Sequence, residues 1–175
     1  MPFLTTLAGG SFKGFQKLGG GAGDGAAAIS TSGGYEMFYE DGTNVYKVHI
    51  FNYDYSSASK FGGNTLTVNS EIDAEIMVIG GGGGGASLGD GVAPIDANGG
   101  GAGGGGAGVA AGTRTLSPGA ISVTVGIGGA GGVGQHNVAA NNGDAGDTGG
   151  TSLFLDIQAT GGQGGQVRNY SANSI

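Results

Sequence analysis

Ala74-Glu75-Ile76-Met77-Val78-Ile79 runs without a break into Gly80-Gly81-Gly82-Gly83-Gly84-Gly85. The first hexad, rich in apolar and β-branched residues, reads as a strand. The second has no side chains with which to pack. What the glycines do there decides the fold. High glycine content means either a solvated, flexible linker or backbone lying so close to backbone that no β-carbon fits.

The residues that interrupt the later glycine runs favour the packed reading. They are Ala102, Ala107, Val109, Ala110, Ala111 and Ala130, small and apolar, where a solvated linker would carry Ser, Glu or Lys. Collagen is excluded, because its triple helix needs glycine at every third position and abundant proline. Glycine supplies 45 of the 175 residues and proline three, and glycines 80 to 85 are consecutive. The expected conformation is the polyproline-II-like glycine helix. It forms no internal hydrogen bonds, so several runs must pack side by side for any of them to be ordered.

Three apolar runs lie between the glycines. Arg114-Thr115-Leu116 comes first. Ile121-Ser122-Val123-Thr124-Val125 follows a Pro118-Gly119 turn and alternates cleanly, as a strand with one buried face does. Residues 152–160 form the third. Upstream, residues 35–39, 44–53, 65–68 and 74–79 carry further strand signals, and Asp41-Gly42 is a hairpin signal. In residues 45–51, Tyr46, Val48 and Ile50 share one face, while Val45, Lys47, His49 and Phe51 share the other. The expected fold class is therefore mostly β with irregular, polyglycine-II segments. A small antiparallel sheet or sandwich would carry the packed Gly-rich runs.

Three regions follow from this pattern: residues 1–34, an N-terminal anchoring arm; residues 35–79, an aromatic strand-rich part; and residues 80–175, a glycine-rich domain with interleaved strands. The arm carries Phe3, Leu4, Leu7, Phe12, Phe15 and Leu18, roughly helical in spacing from Leu4 to Leu18 among glycines that each weaken a helix. Apolar residues on so short a segment are expected to dock on a neighbouring subunit or partner.

The chemistry-bearing residues form no catalytic constellation, and no catalytic, cofactor-binding or metal-binding residue is expected. No cysteine is present, which removes thiol chemistry and cysteine-based zinc sites. Six basic residues in a net charge of −7 argue against nucleic acid, and no apolar run reaches membrane-spanning length. Gly126-Ile127-Gly128-Gly129-Ala130-Gly131 satisfies the dinucleotide fingerprint, but the helix that must follow is not in the sequence. His49 is expected on a face of the sheet and His136 in an exposed loop. Asp144 and Asp147 read as a solvated turn, their spacing missing the calcium-loop pattern.

If the glycine runs pack as rods, the polar loops between them gather at the rod ends. Asp90 and Asp96 lie in one such loop, and Gln135, His136 and Asn137 in the next. These are the candidate partner- or receptor-contact residues.

The order of elements across residues 64–165 is that of a known family. A strand enters residues 80–85, a second run fills 99–108, and Pro118-Gly119 leads into residues 121–125. Gly126 to Gly132 follows, and Ala159-Thr160-Gly161-Gly162 comes near the end. This resembles the glycine-rich domain of phage tail-fibre and virion structural proteins. More distantly it is similar to the polyglycine-sandwich adhesins of T-even-like phage tail fibres. The resemblance implies a non-catalytic virion component such as a fibre, whisker or surface protein. It would be made in the host cytoplasm and carried on the extracellular particle. Its partners would be other virion structural proteins and further copies of itself, a trimer above all. The alternative it implies is an adhesin whose loops touch a host surface receptor. An ice-binding polyglycine bundle is a third reading, disfavoured by irregular run lengths and Asp-bearing loops.

Overall fold

The computed structural model describes residues 11–17, 31–41, 44–54, 59–61, 64–87, 101–134 and 143–167. Among them are eleven strands in two antiparallel sheets. The first holds β1 (Ser11–Lys17), β3 (Tyr35–Asp41), β4 (Asn44–Asp54), β7 (Ile72–Ile79) and β8 (Val109–Leu116) in the order β3-β4-β1-β7-β8, with β5 (Ser59–Phe61) paired to β4. The second holds β2 (Thr31–Ser32), β6 (Thr65–Val68), β9 (Gly119–Thr124), β10 (Ser152–Phe154) and β11 (Ile157–Ala159) in the order β11-β10-β9-β6-β2. The fold is mostly β, as the alternating apolar runs lead one to expect.

The inward residues follow the period of two. Ala74, Ile76 and Val78 of β7, with Phe51 and Leu116, meet Leu66, Val68, Val123, Phe154, Ile157 and Ala159 of the second sheet in one buried cluster. The chain changes sheets between β8 and β9, where Gly119 takes φ 147°, a value that a residue with a β-carbon rarely adopts. The Pro118-Gly119 signal thus marks a crossing between layers, not a hairpin within one.

Two local features go beyond the sequence pattern. Residues 152–160 form two strands joined by a two-residue turn, with Phe154 opposite Ile157 and Leu155 at φ 53°. Asp156 at that turn takes a two-pronged hydrogen bond from Arg114 of β8, Nε to Oδ1 at 2.8 Å and one terminal nitrogen to Oδ2 at 2.6 Å. The pairing raises the Arg114 pKa and lowers that of Asp156, chiefly through this hydrogen bond. In β4, buried residues lie on both faces: Val48 on one, and Lys47, His49 and Phe51 on the other.

Phe12 and Phe15, expected in the anchoring arm, lie on β1. That strand sits inside the first sheet, with Phe12 in register with Phe51 on one side and Val78 on the other. Phe3, Leu4, Leu7 and Leu18 lie outside the described residues. The sheets also run across the 79/80 boundary, since β7 pairs with β8 and β6 with β9.

Beyond the sheets the backbone period changes from two to three. Five rods extend from the sandwich: rod 1 (residues 80–87), rod 2 (101–108), rod 3 (125–133), rod 4 (143–150) and rod 5 (160–167). Rod 1 continues β7, rod 2 leads into β8, rod 3 continues β9, rod 4 leads into β10 and rod 5 continues β11. At about 3.1 Å per residue, eight residues reach roughly 25 Å.

Rod 1 is the hub. Its N–H groups at Gly80, Gly83 and Ala86 bond the carbonyls of Gly108, Gly105 and Ala102 of rod 2. Those at Gly81, Gly84 and Ser87 bond Gly150, Asp147 and Asp144 of rod 4. Its carbonyls at Gly81 and Gly84 accept from Gly162 and Gly165 of rod 5, and those at Gly82 and Gly85 from Gly129 and Gly132 of rod 3. Every set steps by three residues, the period of the polyproline-II-like helix. Around the hub, rod 2 also bonds rod 5, rod 5 bonds rod 4, and rod 4 bonds rod 3.

A threefold rod offers six bonding directions, three through N–H and three through C=O. Four are filled at the hub, in the order 2-5-4-3. Rods 2, 1 and 3 therefore form one layer, and rods 5 and 4 form a second layer across it.

Candidate functional site

The end of the rod bundle away from the sandwich gathers the described residues that flank the segments with most of the polar variety after residue 80. Ser87 ends rod 1, and its hydroxyl ties three rods together. Oγ accepts the Asp144 N–H at 2.7 Å and donates to the Val133 carbonyl at 3.1 Å. On the other side of the hub, Gly101 bridges Val167. The segments 88–100, 135–142 and 168–175 all join the bundle at this end. Asp90, Asp96, Gln135, His136 and Asn137 belong to the first two of these segments and lie outside the described residues. The structure brings their points of attachment together.

At the opposite end the rods are fixed to the sandwich. Ser152 is fully buried, and its hydroxyl accepts the Gly126 N–H at 2.9 Å. It replaces a ladder partner where β9 turns into rod 3. The residues of the dinucleotide fingerprint, 126 to 131, form part of this extended rod, not a turn opening a helix. Asp144 and Asp147 lie three apart on rod 4 with exposed side chains, their carbonyls accepting from the hub. Among the described residues no three His, Cys, Asp or Glu side chains group around a possible metal position.

The chain's other polar cluster lies within the sandwich. His49 and Lys47 share a face of β4, and β2 and the start of β3 supply their partners. His49 Nδ1 donates to the Gly33 carbonyl at 2.7 Å, and Nε2 accepts from the Thr31 hydroxyl at 2.8 Å. Both ring nitrogens are thus used by a neutral imidazole. Lys47 Nζ reaches the Thr31 carbonyl and pairs with Glu36 Oε2 at 3.0 Å. Gly33 and Gly34, at φ 123° and 70°, shape the bend that aims the Gly33 carbonyl at the ring. The arrangement braces β2 against β4 and leaves no free nitrogen for proton transfer.

Burial depresses the His49 pKa below its ordinary 6.5; the Gly33 hydrogen bond opposes this, Lys47 adds to it and Glu36 opposes it. The unfolded chain therefore binds the proton more readily than the folded one. Stability is expected to be full above pH 6.5 and to decline as the pH falls from 6.5 toward the lowered folded value. Urea midpoints at pH 7.5 and 5.5 measure this, and His49→Gln, which keeps a donor and an acceptor, should flatten the difference. An equal decline in both proteins would assign it to other groups.

The sequence missed the face selection on the rods. In rod 3, Ile127, Ala130 and Val133 recur at every third residue, and in rod 5 so do Thr160, Gln163 and Gln166. All six are exposed, and between them Gly129 and Gly132 of rod 3 and Gly161, Gly162, Gly164 and Gly165 of rod 5 press against the backbone of neighbouring rods. The period-three x-Gly-Gly pattern was the available signal.

Residues 56–175 match the family model of a glycine-rich domain. No curated protein and no solved structure matches the chain.

Proposed function

Since the chain belongs to this glycine-rich domain family, which spans more than half of its length, we propose that it is a non-catalytic structural component of a phage particle: a fibre, whisker or surface protein. The observation that carries this reading is the hub-centred bundle, a stiff spacer fixed to a sandwich at one end. A rod of backbone hydrogen-bonded in four directions suits a part that must bear position and shape. The edge strand β3 exposes Tyr35, Met37, Phe38 and Tyr39, a surface that a larger assembly would cover. Its partners in this reading are other virion proteins and further copies of the chain.

A second reading, a receptor-binding adhesin, is favoured by one feature. Three segments, among them those with Asp90, Asp96, Gln135, His136 and Asn137, join the bundle at its free end, where a rigid scaffold would present them. Immunogold electron microscopy of particles of the source phage tests both. Label on the head, neck, tail or fibre shaft is the expected result. Label confined to fibre tips, with host binding reduced in His136→Ala, would replace the first reading by the second. Particles without label would refute both.

A further inference from the structure

The two outer faces of the rod bundle differ in a way that the fold of one chain does not require. On the layer of rods 5 and 4, Thr160, Gln163, Gln166, Asp144, Asp147 and Thr148 are exposed. On the layer of rods 2, 1 and 3, the positions clear of other rods include Gly82, Gly103 and Gly106. A β-carbon at any of these would meet nothing within 4 Å. None has a φ that demands glycine. Nearby, β-carbons on Gly85 and Gly131 would make only ordinary contacts, at 3.8 and 3.6 Å.

Glycine is the costliest residue to order, and the chain would tolerate alanine at each of these places. A bare backbone surface has one evident physical use, the close approach of further backbone. The hub shows which kind. Among the described residues two of its bonding directions have no partner, and both point away from rods 5 and 4. One belongs to the N–H groups of Gly82 and Gly85, which meet no acceptor among the described residues. The other belongs to the carbonyls of Gly83 and Ala86. Donors and acceptors on this face recur every third residue, which matches a threefold polyproline-II-like rod, and glycine lets such a rod approach closely.

We infer that the face of rods 2, 1 and 3 is a self-association surface, on which a second copy of this chain stacks the same face about a two-fold axis. The surface is self-complementary, since it carries donors and acceptors together, as an isologous contact requires. Residues 80–87, 101–108 and 125–133 contain no charged side chain, so two copies of a chain with net charge −7 meet here without facing carboxylates. The opposite layer carries Asp144 and Asp147 and is unsuited to the same contact. The paired bundles would form four layers with both hubs in the interior. The surface stands independently of the particle role.

The test is the solution mass of the full chain and of the triple variant Gly82→Ala, Gly103→Ala, Gly106→Ala, by sedimentation equilibrium. The wild type is expected at twice the 16.7 kDa of one chain and the variant at the single mass. Because the added methyls meet no described residue within 4 Å, the variant should keep the wild-type circular dichroism spectrum. Gln163→Ala and Gln166→Ala, on the opposite layer, should leave the mass of the pair unchanged. A wild type that stays at the single mass at 100-fold dilution steps up to about 0.1 mM would overturn the inference, and so would a triple variant that still pairs.

Discussion

Gly84→Ala is expected to destabilise the protein by about 3–5 kcal/mol, whereas Gly82→Ala, two residues away on the same rod, should be neutral or stabilising by about 0.4–1 kcal/mol. At Gly84 a β-carbon would overlap the carbonyl groups of Ala130 and Gly129 on rod 3. The obstruction is backbone, so no rotamer change relieves it. Rod 3 would have to withdraw, and with it go the bonds from Gly129 N–H to Gly82 and from Gly132 N–H to Gly85, at 2.8 and 2.9 Å. Gly84 is also bonded on both other sides, donating to Asp147 and accepting from Gly165, so rod 1 cannot move away instead. Overpacking of about 1–3 kcal/mol adds to two lost bonds of about 1 kcal/mol each. For a chain of this size the sum is a fall in Tm on the order of 10 °C. Thermal unfolding of both variants in dilute solution, where association does not contribute, provides the comparison. Equal Tm values would mean that the rods do not pack as described.

That contrast was only partly legible in the sequence. The existence of ordered glycine rods could be read from Ala102, Ala107 and Ala130, which interrupt the runs where a linker would have charge. The strands could be read wherever alternation was clean, as at Ile121, Val123 and Val125. The turn at Leu155 and Asp156 could not, because leucine at positive φ is not a turn signal. What holds it is a side-chain pairing with Arg114, 42 residues away. The inward face of β4 was ambiguous for a related reason. Alternation places Lys47 and His49 on one face without saying whether it points inward, and their burial depends on Thr31, Gly33 and Glu36, which no local pattern connects to them. The five glycines of the open face were hidden most completely. Sequence counts a glycine the same whether its missing β-carbon would strike a carbonyl or meet open space.

The arm illustrates the same limit. Phe12 and Phe15 fit a helical spacing that also covers Leu4 and Leu18, yet residues 11–17 pair as a strand on both sides. Gly14 weakens a helix there, while the two flanking strands supply every backbone partner that a lone helix would have to supply itself. A ladder contributed by distant sequence outweighed the local period.

Phe154→Ala is expected to cost about 3–5 kcal/mol, the range for truncating a fully buried aromatic. Phe154 is 0 % exposed, and its strand has only three residues, so packing of this ring provides much of what holds β10 in place. Its backbone neighbours are Val123 of β9 and Ile157 of β11. The effect should not stop at the sandwich. Rod 4 enters β10 and rod 5 leaves β11, so the same hairpin anchors the whole second layer of rods. Without it the hub keeps rods 2 and 3 but loses the contacts through the Gly81 and Gly84 carbonyls and N–H groups. Amide hydrogen exchange therefore distinguishes two architectures. If sandwich and bundle unfold as one unit, Phe154→Ala accelerates exchange at Gly84, Gly149 and Gly165 as much as at Val123. If the rods hold themselves together, those glycines stay protected while the sandwich loosens. Joint loss is the expected result, because rods without internal hydrogen bonds depend on their neighbours for order, and rods 4 and 5 are fixed to the sandwich through β10 and β11. Leu153→Ala, on the same strand with its side chain partly exposed, should shift stability by less than about 1.5 kcal/mol and serves as the control for strand propensity.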